Sequence, residues 1–293
     1  MNRPVKLAAN TRRGALKEAV ALMKTAGLDT PVLDARLIVQ HALGVDWHTL
    51  FLKDDLPLAD DERRRLEDQL ARRAAHEPVS RIVGRRHFWT LDLAVTPETL
   101  DPRPDTESVI ESVIAAIPDR SRPLQVLDLG TGTGALLLAL LVEYPHAAGL
   151  GIDRSPGALA AAAANASSHG LDARARFAEG DWCAGLAGSF DVIVSNPPYI
   201  TEPDLAGLPP EVRDYDPSFA LDGGPDGLNA YRAILPALST LLAPRGLVVV
   251  EIGAGQSDAV IRLGEESGLA VTSRRKDLSG VERAIGFRRW MAV

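Results

Sequence analysis

The segment VLDLGTGTG (residues 126–134) constrains the fold more than any other stretch, because an apolar run is followed at once by three closely spaced glycines. The apolar run is typical of a buried strand. Gly130, Gly132 and Gly134 allow a tight bend and a close approach of the backbone to a ligand, and a helix that begins behind them presents free N–H groups. The alternative is a plain strand-to-helix turn without a ligand. Both interpretations predict a strand, a glycine loop and a helix in succession.

A regular alternation of strand-like and helix-like segments begins at about residue 101. Short apolar runs alternate with helical stretches such as PGALAAAAANASSHG, an order that produces a parallel sheet with helices on both faces. The sequence therefore predicts an α/β fold with a mainly parallel sheet. The predicted strands cover residues 124–130, 148–153, 173–181, 190–196 and 246–253, followed by the segments AVTSRRKD and RAIGFRR.

The N-terminal part of the chain shows helical periodicity only. Thr11 is predicted to cap a first helix that stops near Gly27, and Thr30, followed by Pro31, is predicted to cap a second helix. A third helix, DDERRRLEDQLARRAAHEP, stops at Pro78. Its arginines invite a nucleic acid interpretation, but the interleaved acids favour a solvated face.

Three regions follow from these patterns. We predict a small helical bundle over residues 1–78 and an α/β domain over residues 101–293. Between them, RIVGRRHFW and TLDLAVT alternate like the two strands of a hairpin, which predicts a β-hairpin linker over residues 79–100.

Composition excludes several classes of protein. The apolar run Gly134–Val142 is much shorter than the roughly 18–20 residues that cross a bilayer, and Lys17 and Glu18 interrupt any N-terminal signal core. We therefore expect a soluble, cytoplasmic protein that does not bind a membrane. Cys183 is the single cysteine and the six histidines are scattered, so neither a disulfide framework nor a metal site is expected.

The charge is divided unevenly along the chain. Residues 1–78 contain 13 basic and 12 acidic residues, whereas residues 79–293 contain 19 basic and 27 acidic ones and so contribute −8 to the net charge of −7. Clamping a nucleic acid backbone requires clustered Lys and Arg. The acidic C-terminal part therefore argues against non-specific nucleic acid binding.

The acid that ends the next predicted strand narrows the choice of ligand. Asp153 lies 23 residues after Gly130, where a carboxylate can accept both hydroxyls of a ribose. Dinucleotides and S-adenosylmethionine both fit this acid, but dinucleotide loops have the spacing G-x-G-x-x-G and this loop has G-x-G-x-G. Asp181 and Trp182 can form an adenine pocket, although Trp182 fits equally well as a packing aromatic. Together these features resemble the S-adenosylmethionine site of a class I methyltransferase.

The segment Asn196-Pro197-Pro198-Tyr199 directly follows the predicted strand FDVIVS and contains neither a nucleophile nor a base. Ligands of doubly wound sheets bind beyond the carboxyl ends of the strands, so these residues are expected beside the glycine loop. A single proline could simply end strand pairing, but that does not explain the four residues together. They resemble the N-P-P-Y segment of methyltransferases that modify planar nitrogens: adenine N6, guanine N2 and the glutamine amide.

The chemistry of a planar nitrogen explains these residue types. Its lone pair is delocalised, so the nitrogen is a weak nucleophile that no side chain can fully deprotonate at neutral pH. Two fixed acceptors, the Asn196 side-chain oxygen and the Pro197 carbonyl, can hold its two N–H bonds and aim the lone pair at a sulfonium methyl. The prolines keep the carbonyl rigid, and Tyr199 offers a flat face to the substrate. We therefore predict catalysis by orientation and electrostatic stabilisation, without a general base.

Several segments together resemble the HemK/PrmC family of release factor glutamine methyltransferases in their order and spacing. They are LDPRPDTESVIE (100–111), VLDLGTGTGA, FDVIVSNPPYI, EVRDYDPSFALDGGPDGLNAYRAI (211–234) and EIGAGQ (251–256). The N-terminal helices, with DARLIVQHALG, are similar to that family's substrate-docking domain. The resemblance implies a class I, Rossmann-like methyltransferase fold and methyl transfer to N5 of the glutamine in the Gly-Gly-Gln loop of class I peptide chain release factors.

The resemblance also implies roles for individual residues. Together with Asp181, the expected cofactor contacts are Gly130, Thr131, Gly132, Thr133, Gly134, Asp153, Trp182 and Asn196. The expected substrate contacts are Asn196, Pro197, Pro198, Tyr199 and Arg103. The segment from Arg103 to Glu107 is expected to line the cofactor entrance, although RPDTE could merely begin a helix. One departure is Asp101, which stands where the family usually has an apolar residue; it concerns the packing of this wall, not the methyl-transfer centre.

Other functions stay open on the sequence alone. A sister family that modifies a glutamine of a ribosomal protein shares the catalytic motif and nearly the same length. An adenine or guanine methyltransferase would need a basic face or a domain able to extrude a base, and the acidic C-terminal part offers neither. A protein that only binds the cofactor would not need an intact Asn196. We therefore expect a monomeric enzyme that acts on release factors, without stable nucleic acid binding.

Overall fold

The computed structural model describes residues 5–290, and the contacts within it divide the chain into two units. One unit holds the chain up to Gly84 together with residues 209–215. The other holds residues 85–208 together with the chain from Asp216. The first unit is helical, the second is an α/β unit, and each has its own hydrophobic core.

The helical unit begins with five helices. They are α1 (Arg12–Thr25), α2 (Pro31–Leu43), α3 (Trp47–Leu52), α4 (Asp60–Ala74) and α5 (Val79–Val83). The predicted cap of α1 is present, because the Thr11 side chain accepts the backbone N–H of Gly14 at 3.2 Å. The helix α2 ends at Gly44, which has a left-handed φ of 63°.

Thr30 occupies the predicted N-cap position of α2, followed by Pro31, but it does not cap the helix through its side chain. Its side chain caps none of the described backbone N–H groups, and its hydroxyl instead donates to Asp34 at 2.7 Å. Asp34 is buried and also accepts the Nε of Arg73 at 2.7 Å. Arg73 in turn pairs with Glu211 at 2.7 Å, within the same unit. Because a buried carboxylate needs its lone pairs satisfied, the Thr30 hydroxyl serves this network and not the helix end.

The short helix α3 has no counterpart among the sequence predictions. Its six residues are too few to show a helical period, although the Asp46 side chain caps it by accepting the Thr49 N–H at 2.6 Å. Leu50 is its buried residue. Phe51 and Leu52 are 66% and 63% exposed, so this helix places a large apolar surface in contact with solvent.

The predicted hairpin linker is wrong in its first part. Residues 79–83 form the helix α5, in which Ile82 is buried in the helical core. The helix ends at Gly84, which has a φ of 72°. The hairpin itself is shorter, with β1 (Arg85–Phe88) paired antiparallel to β2 (Leu91–Ala94). Gly84, the glycine in RIVGRR, thus ends a helix. The sequence analysis missed this helix because the alternating pattern of the segment favoured a strand.

The α/β unit continues with a 3-10 turn (Pro104–Thr106) and then alternates helices and strands. Its helical segments are α6 (Glu107–Ala116), α7 (Ala135–Glu143), α8 (Pro156–Ser168), α9 (Glu202–Leu205), a second 3-10 turn (Ser218–Ala220), α11 (Asn229–Leu241) and α12 (Ser257–Glu266). The helix α10 (Pro210–Arg213) lies between α9 and this turn in the sequence but belongs to the helical unit. Its strands are β3 (Gln125–Leu129), β4 (Ala148–Asp153), β5 (Ala175–Glu179), β6 (Phe190–Ser195), β7 (Leu242–Glu251), β8 (Leu269–Lys276) and β9 (Glu282–Arg289). Within residues 5–290, none of the helices combines the length and the apolar character needed to span a bilayer.

The seven strands β3 to β9 form one sheet in the order β5-β4-β3-β6-β7-β9-β8. The neighbours from β5 to β7 are parallel, whereas β9 runs antiparallel to both β7 and β8. Successive residues of β3 face opposite sides: Val126 packs in a cluster with α6 and α7, and Leu127 packs in a cluster with α11 and α12. The prediction of a mainly parallel sheet covered on both faces is confirmed.

The order of the strands reverses at β3. From there β4 and β5 lie on one side, and β6 and β7 lie on the other. Ligands of open α/β sheets bind beyond the carboxyl ends of the strands at such a switch point. The fold therefore places the loop after β3, the end of β4 and the end of β6 at one edge of the sheet.

Candidate active site

The loop after β3 turns into α7 through three glycines with positive φ. Gly130, Gly132 and Gly134 have φ angles of 72°, 55° and 81°, which residues with a side chain rarely adopt. The N–H groups of Gly130 and Thr131 both donate to the carbonyl of Ile152 at 2.9 Å, which ties the loop to β4. A Cβ on Gly132 would meet no atom within 4 Å. The loop is thus fixed to β4 on one side, and at Gly132 it has open space in which a ligand could bind.

Asp153, the last residue of β4, holds the same loop. Its two carboxylate oxygens accept the backbone N–H groups of Gly132 at 2.9 Å and of Ser155 at 3.0 Å. The residue is 9% exposed and its surface lines a cavity. Because each carboxylate oxygen can accept more than one hydrogen bond, Asp153 can also accept the hydroxyls of a ribose from this fixed position.

The cavity has a volume of about 290 Å³ and brings together most of the residues predicted from the sequence. Those that line it are Gly130, Thr131, Gly132, Thr133, Asp153, Asp181, Trp182, Asn196 and Pro198. Four other predicted site residues of the described chain lie outside this lining: Gly134, Pro197, Tyr199 and Arg103. Gly134 begins α7, and Pro197 is buried behind the strand end.

Trp182 forms one wall of the cavity. Its φ of 51° is uncommon for a residue with a large side chain, a kind of strain that occurs at binding sites. A Cβ on Gly130 would lie 3.2 Å from its ring, and the ring also packs against the core on the α11 side of the sheet. Trp182 therefore packs and lines the cavity at once, while its contact with adenine stays a prediction.

Asn196 directly follows β6, and the direction of its side-chain amide is set by a hydrogen bond. Its Nδ2 donates to Oγ1 of Thr106 at 3.1 Å, which leaves Oδ1 at the other end of the amide. Asn196 and Pro198 border the same cavity as the glycine loop and Asp153. The end of β6 and the glycine loop thus meet at one site.

Tyr199 is held at both ends. Its hydroxyl donates to Oε1 of Glu251 at 3.3 Å, and its backbone carbonyl accepts Nε2 of Gln256 at 2.9 Å. Burial, and then the charge of Glu251, raise the pKa of the Tyr199 phenol, so its hydroxyl stays a donor. The ring packs against the core on the α11 side of the sheet. Its predicted contact with the substrate plane stays a prediction.

Glu251, the last residue of β7, is a buried acid that the sequence analysis did not assign to the site. It is 1% exposed. Burial raises the pKa of its carboxyl to about 7, while the hydroxyl of Thr106, the guanidinium of Arg283 and the hydroxyl of Tyr199 act in the opposite direction. At neutral pH this carboxyl is therefore close to the midpoint of its titration.

Residues 221–227, which the sequence analysis used only as a family marker, wrap the end of the N-P-P-Y segment. The backbone N–H of Ile200 donates to the carbonyl of Leu221 at 3.0 Å, and the backbone N–H of Gly223 donates to the carbonyl of Ile200 at 2.8 Å. A Cβ on Gly223 would lie 2.8 Å from the Tyr199 Cα. Only glycine permits this approach of two backbones. The sequence indicated a glycine-rich turn here, but it could not predict that this turn contacts the N-P-P-Y segment.

Other residues of the cavity wall were also missed. They are Glu98, Thr99, Leu100, Pro102, Ala135, Ile152, Arg154, Gly180, Phe219, Ala220, Asp222, Asn229 and Ala230. Thr106 also lines the cavity, and it belongs to the segment Arg103–Glu107 that was expected at the cofactor entrance. The guanidinium of Arg154 lies 5.0 Å from the centre of the Phe219 ring, so these two residues form a paired side of the wall. The position of Arg154 directly after Asp153 was the one local signal. Within residues 5–290, no group of three or more His, Cys, Asp or Glu side chains is placed to hold a metal ion.

The departure at Asp101 is accommodated by cations. Asp101 is 2% exposed, and its carboxylate oxygens lie 3.8 Å from Arg86 and from Arg103. Arg103 also pairs with the buried carboxylate of Asp216. An acid fits at this position because two guanidinium groups flank it. The role of Arg103 as a substrate contact stays a prediction.

The position of this cavity, at the switch point of a seven-stranded sheet and between a glycine loop and the acid that ends β4, places the protein among the class I S-adenosylmethionine-dependent methyltransferases. Comparison with known proteins agrees, since residues 120–227 match the methyltransferase domain family and residues 14–84 match the PrmC N-terminal domain. The chain belongs to the release factor glutamine methyltransferase family.

Two relatives show how far the similarity extends. The release factor glutamine methyltransferase of Rhodospirillum rubrum is 50% identical over 267 residues, which cover 91% of this chain and 82% of that protein. That of Caulobacter vibrioides is 46% identical over 264 residues, which cover 90% and 91%. Among solved structures, the hMettl16 catalytic domain in complex with MAT2A 3'UTR hairpin 6 has a TM-score of 0.55 and 14% identity, and the match covers 77% of this chain and 83% of that one. At this identity the match shows a shared fold alone.

Proposed function

We propose that the protein transfers a methyl group from S-adenosylmethionine to the N5 amide nitrogen of the glutamine in the Gly-Gly-Gln motif of class I peptide chain release factors, and so supports translation termination. The proposal depends on one observation: Asn196 and Pro198 line the same cavity as the glycine loop and Asp153. A planar nitrogen held at the end of β6 would lie beside the cofactor. The relatives from Rhodospirillum rubrum and Caulobacter vibrioides are named for this reaction.

The residues at the cavity fit S-adenosylmethionine. Asp153 would hold the ribose hydroxyls, Gly130–Thr133 would bind the amino acid part, and Asp181 and Trp182 would contact the adenine. The open side of Gly132 supports this assignment, because a side chain there would occupy ligand space. When bound, the cofactor supplies an electrophilic methyl group on a sulfonium.

The chain itself supplies orientation. The Asn196 oxygen and the Pro197 carbonyl would accept the two N–H bonds of the glutamine amide, which turns the nitrogen lone pair toward the methyl group. Both acceptors would stabilise the positive charge that develops on the nitrogen as it takes the methyl group from the sulfonium, which would leave as a neutral thioether. The N-methylated amide cation is a strong acid and loses its extra proton to water, so the step needs no general base.

We further propose that residues 1–78 form the docking domain for the release factor. The support is the exposed apolar surface of α3, where Phe51 and Leu52 are 66% and 63% exposed, since such clusters mark protein contacts. Replacing both residues by serine should raise KM for the release factor about 10-fold and leave kcat unchanged. The matched control is Leu278→Ser, at an exposed leucine of the α/β unit, which should change neither constant. An unchanged KM in the double variant would refute the docking role.

We also propose that the enzyme works as a monomer in the cytoplasm, without stable nucleic acid binding. The net charge of −8 over residues 79–293 supports this, because phosphate backbones repel an acidic surface. Gel filtration with light scattering would measure the mass. Salt-dependent binding to DNA or RNA, or a stable dimer, would contradict the proposal.

The decisive experiment is methylation of several substrates in parallel. Labelled S-adenosylmethionine would be incubated with a purified class I release factor, ribosomal proteins and DNA, and the modified residue would be mapped by mass spectrometry. We expect label on the Gly-Gly-Gln glutamine alone, and none on a release factor whose glutamine is replaced by alanine. Label on a ribosomal protein or on a base would redirect the assignment to another planar nitrogen.

A further inference from the structure

The amide of Asn196 helps the substrate in only one of its two orientations. A side-chain amide carries an oxygen acceptor at one end and an NH2 donor at the other, and a flip exchanges them with almost no change in shape. With the oxygen toward the cavity, Asn196 accepts a substrate N–H. With the NH2 toward the cavity, two donors would face each other. The protein must therefore fix the direction of this amide.

Thr106 is the group that sets this direction. Its Oγ1 accepts the Nδ2 of Asn196 at 3.1 Å, and the residue is 4% exposed. A hydroxyl has one proton, so Thr106 accepts from Asn196 only while its own proton points elsewhere. The Thr106 hydroxyl is near enough to the carboxyl of Glu251 to lower its pKa, so this carboxyl is the acceptor available to the Thr106 proton.

The surroundings of Glu251 consist mostly of donors and a cation. Tyr199 donates to its Oε1 at 3.3 Å. Oε2 is buried and has no hydrogen bond of standard geometry within the described chain, so it can still accept a proton from a hydroxyl. Arg283 approaches from β9 and pairs with Asp105 at 3.2 Å, and the charge of Asp105 opposes ionisation of Glu251. The hydroxyl of Tyr231 donates to the Glu251 backbone carbonyl at 2.9 Å.

We propose that Thr106 and Glu251 are positioning residues that hold the Asn196 amide with its oxygen toward the substrate nitrogen. Because an ionised carboxylate can only accept, it draws the Thr106 proton to itself and leaves the Thr106 oxygen free to accept from Asn196. Every hydrogen bond then points away from the cavity. The inference rests on the proposed function, since it concerns how Asn196 meets an amide nitrogen, and Thr106 and Glu251 would act on that nitrogen through Asn196.

Reversal of one hydrogen bond would undo this arrangement. A glutamine at position 251, or a protonated Glu251, can donate to the Thr106 oxygen. The Thr106 proton would then turn toward Asn196, whose amide would flip to present its oxygen to Thr106 and its NH2 to the cavity. The geometry of the site would be kept and its polarity inverted.

The first test compares kinetics across pH for Thr106→Val, Thr106→Ser and Glu251→Gln. We expect Thr106→Val and Glu251→Gln to lower kcat about 10- to 100-fold, with KM for the release factor and the cofactor dissociation constant within about 3-fold of wild type. Thr106→Ser should restore kcat. In wild type and Thr106→Ser, kcat should rise with pH as Glu251 ionises near pH 7, and this rise should be absent in the other two variants. Wild-type kcat in Thr106→Val, or an equal loss in Thr106→Ser, would overturn the proposal.

The second test does not depend on turnover. The Asn196 side-chain NH2 resonance in a ¹⁵N spectrum, identified by its absence in Asn196→Ala, should shift with a midpoint near pH 7 in wild type and Thr106→Ser but not in Thr106→Val. An identical pH response in wild type and Thr106→Val would refute the link. If wild type methylates no release factor while this resonance behaves as expected, the proposed function has failed and the positioning inference stands.

Discussion

Single residues in this site act through atoms whose direction a neighbour has already fixed. Asp153 accepts two backbone N–H groups before any ligand is present, and Asn196 gives its NH2 to Thr106. Fixed polar groups of this kind need no reorientation when charge develops in the reaction. The cofactor and substrate roles of these two residues can therefore be tested separately.

Asp153→Ala should weaken cofactor binding about 10- to 100-fold, because charge-assisted hydrogen bonds to ribose hydroxyls are lost. Calorimetric titration with S-adenosylmethionine measures the dissociation constant. Asp153→Asn is the control, since it keeps an oxygen for the Gly132 N–H but removes the charge, and it should give an intermediate loss. An unaltered dissociation constant in Asp153→Ala would rule out the ribose contact.

Asn196→Ala should lower kcat about 10²- to 10³-fold, the range for loss of one preorganised polar group that stabilises a developing charge. Cofactor affinity should fall only modestly, because the glycine loop and Asp153 are untouched. Steady-state methylation of a release factor and calorimetry on the same preparation provide both values. Full turnover in this variant would disprove catalysis by orientation.

At the scale of elements, the end of β6 is shaped by segments distant in the chain. The glycine-rich turn at 221–227 presses on its backbone, and the loop after β7 holds it through Gln256. A Cβ on Gly227 would lie 2.4 Å from the backbone carbonyl oxygen of Tyr199 and 2.5 Å from Nε2 of Gln256. These contacts fix the direction of the strand end, and therefore the positions of the two acceptors proposed there.

Gly227→Ala should consequently displace the N-P-P-Y segment and lower kcat at least about 10-fold, in addition to the roughly 1–2 kcal/mol that a positive φ costs a residue with a side chain. Gly255→Ala is the matched control, because Gly255 has a φ of 80° but open space around its Cβ position. It should lose a similar amount of stability in urea unfolding and keep its kcat. Equal kinetic losses in the two variants would show that strain alone, and not the contact with Tyr199, affects the site.

Some of these elements could be predicted from the sequence, and others could not. Buried strands are local apolar runs, and so β3, β4 and β6, with the loops that follow them, were predictable together with the glycine loop, Asp153 and Asn196. The helix α3 is too short to show a period, and Gly84 ends a helix that alternation concealed. The partners of the site could not be predicted, because Thr106 lies 90 residues from Asn196 and Glu251 lies 52 residues from Tyr199. Such pairings are created by the sheet order and not by any local pattern.

At the scale of the whole molecule, two buried acids lower stability at neutral pH. Asp128, beneath the glycine loop, and Glu251 are each 1% exposed. Burial raises the pKa of each to about 7; the Thr131 hydroxyl opposes this shift at Asp128, and the nearby charge of Asp153 adds to it. The unfolded chain releases these protons near pH 4. Between about pH 4 and 7 the folded state therefore binds more protons, and its stability falls as the pH rises.

The variant Glu251→Gln isolates one of these acids, because glutamine resembles the protonated form and does not titrate. At pH 5 the free energies of unfolding of wild type and variant should be similar. As the pH rises to 8, wild type should lose up to about 3 kcal/mol relative to the variant, from a pKa of 4.5 in the unfolded state and about 7 in the folded state. Urea unfolding at the two pH values, with equal m-values in both proteins, measures this difference.

The expected outcome is a variant that is more stable than wild type at pH 8 and yet a slower enzyme. That combination follows only if the ionised carboxylate costs stability in the fold and, through Thr106, orients Asn196 in the site. Parallel stability curves would mean that Glu251 titrates near its unfolded pKa, and a faster variant would mean that its charge does not act on Asn196. The fall of stability with rising pH should thus level off near pH 7, the same pH at which the rise of kcat has its midpoint, because the same proton governs both.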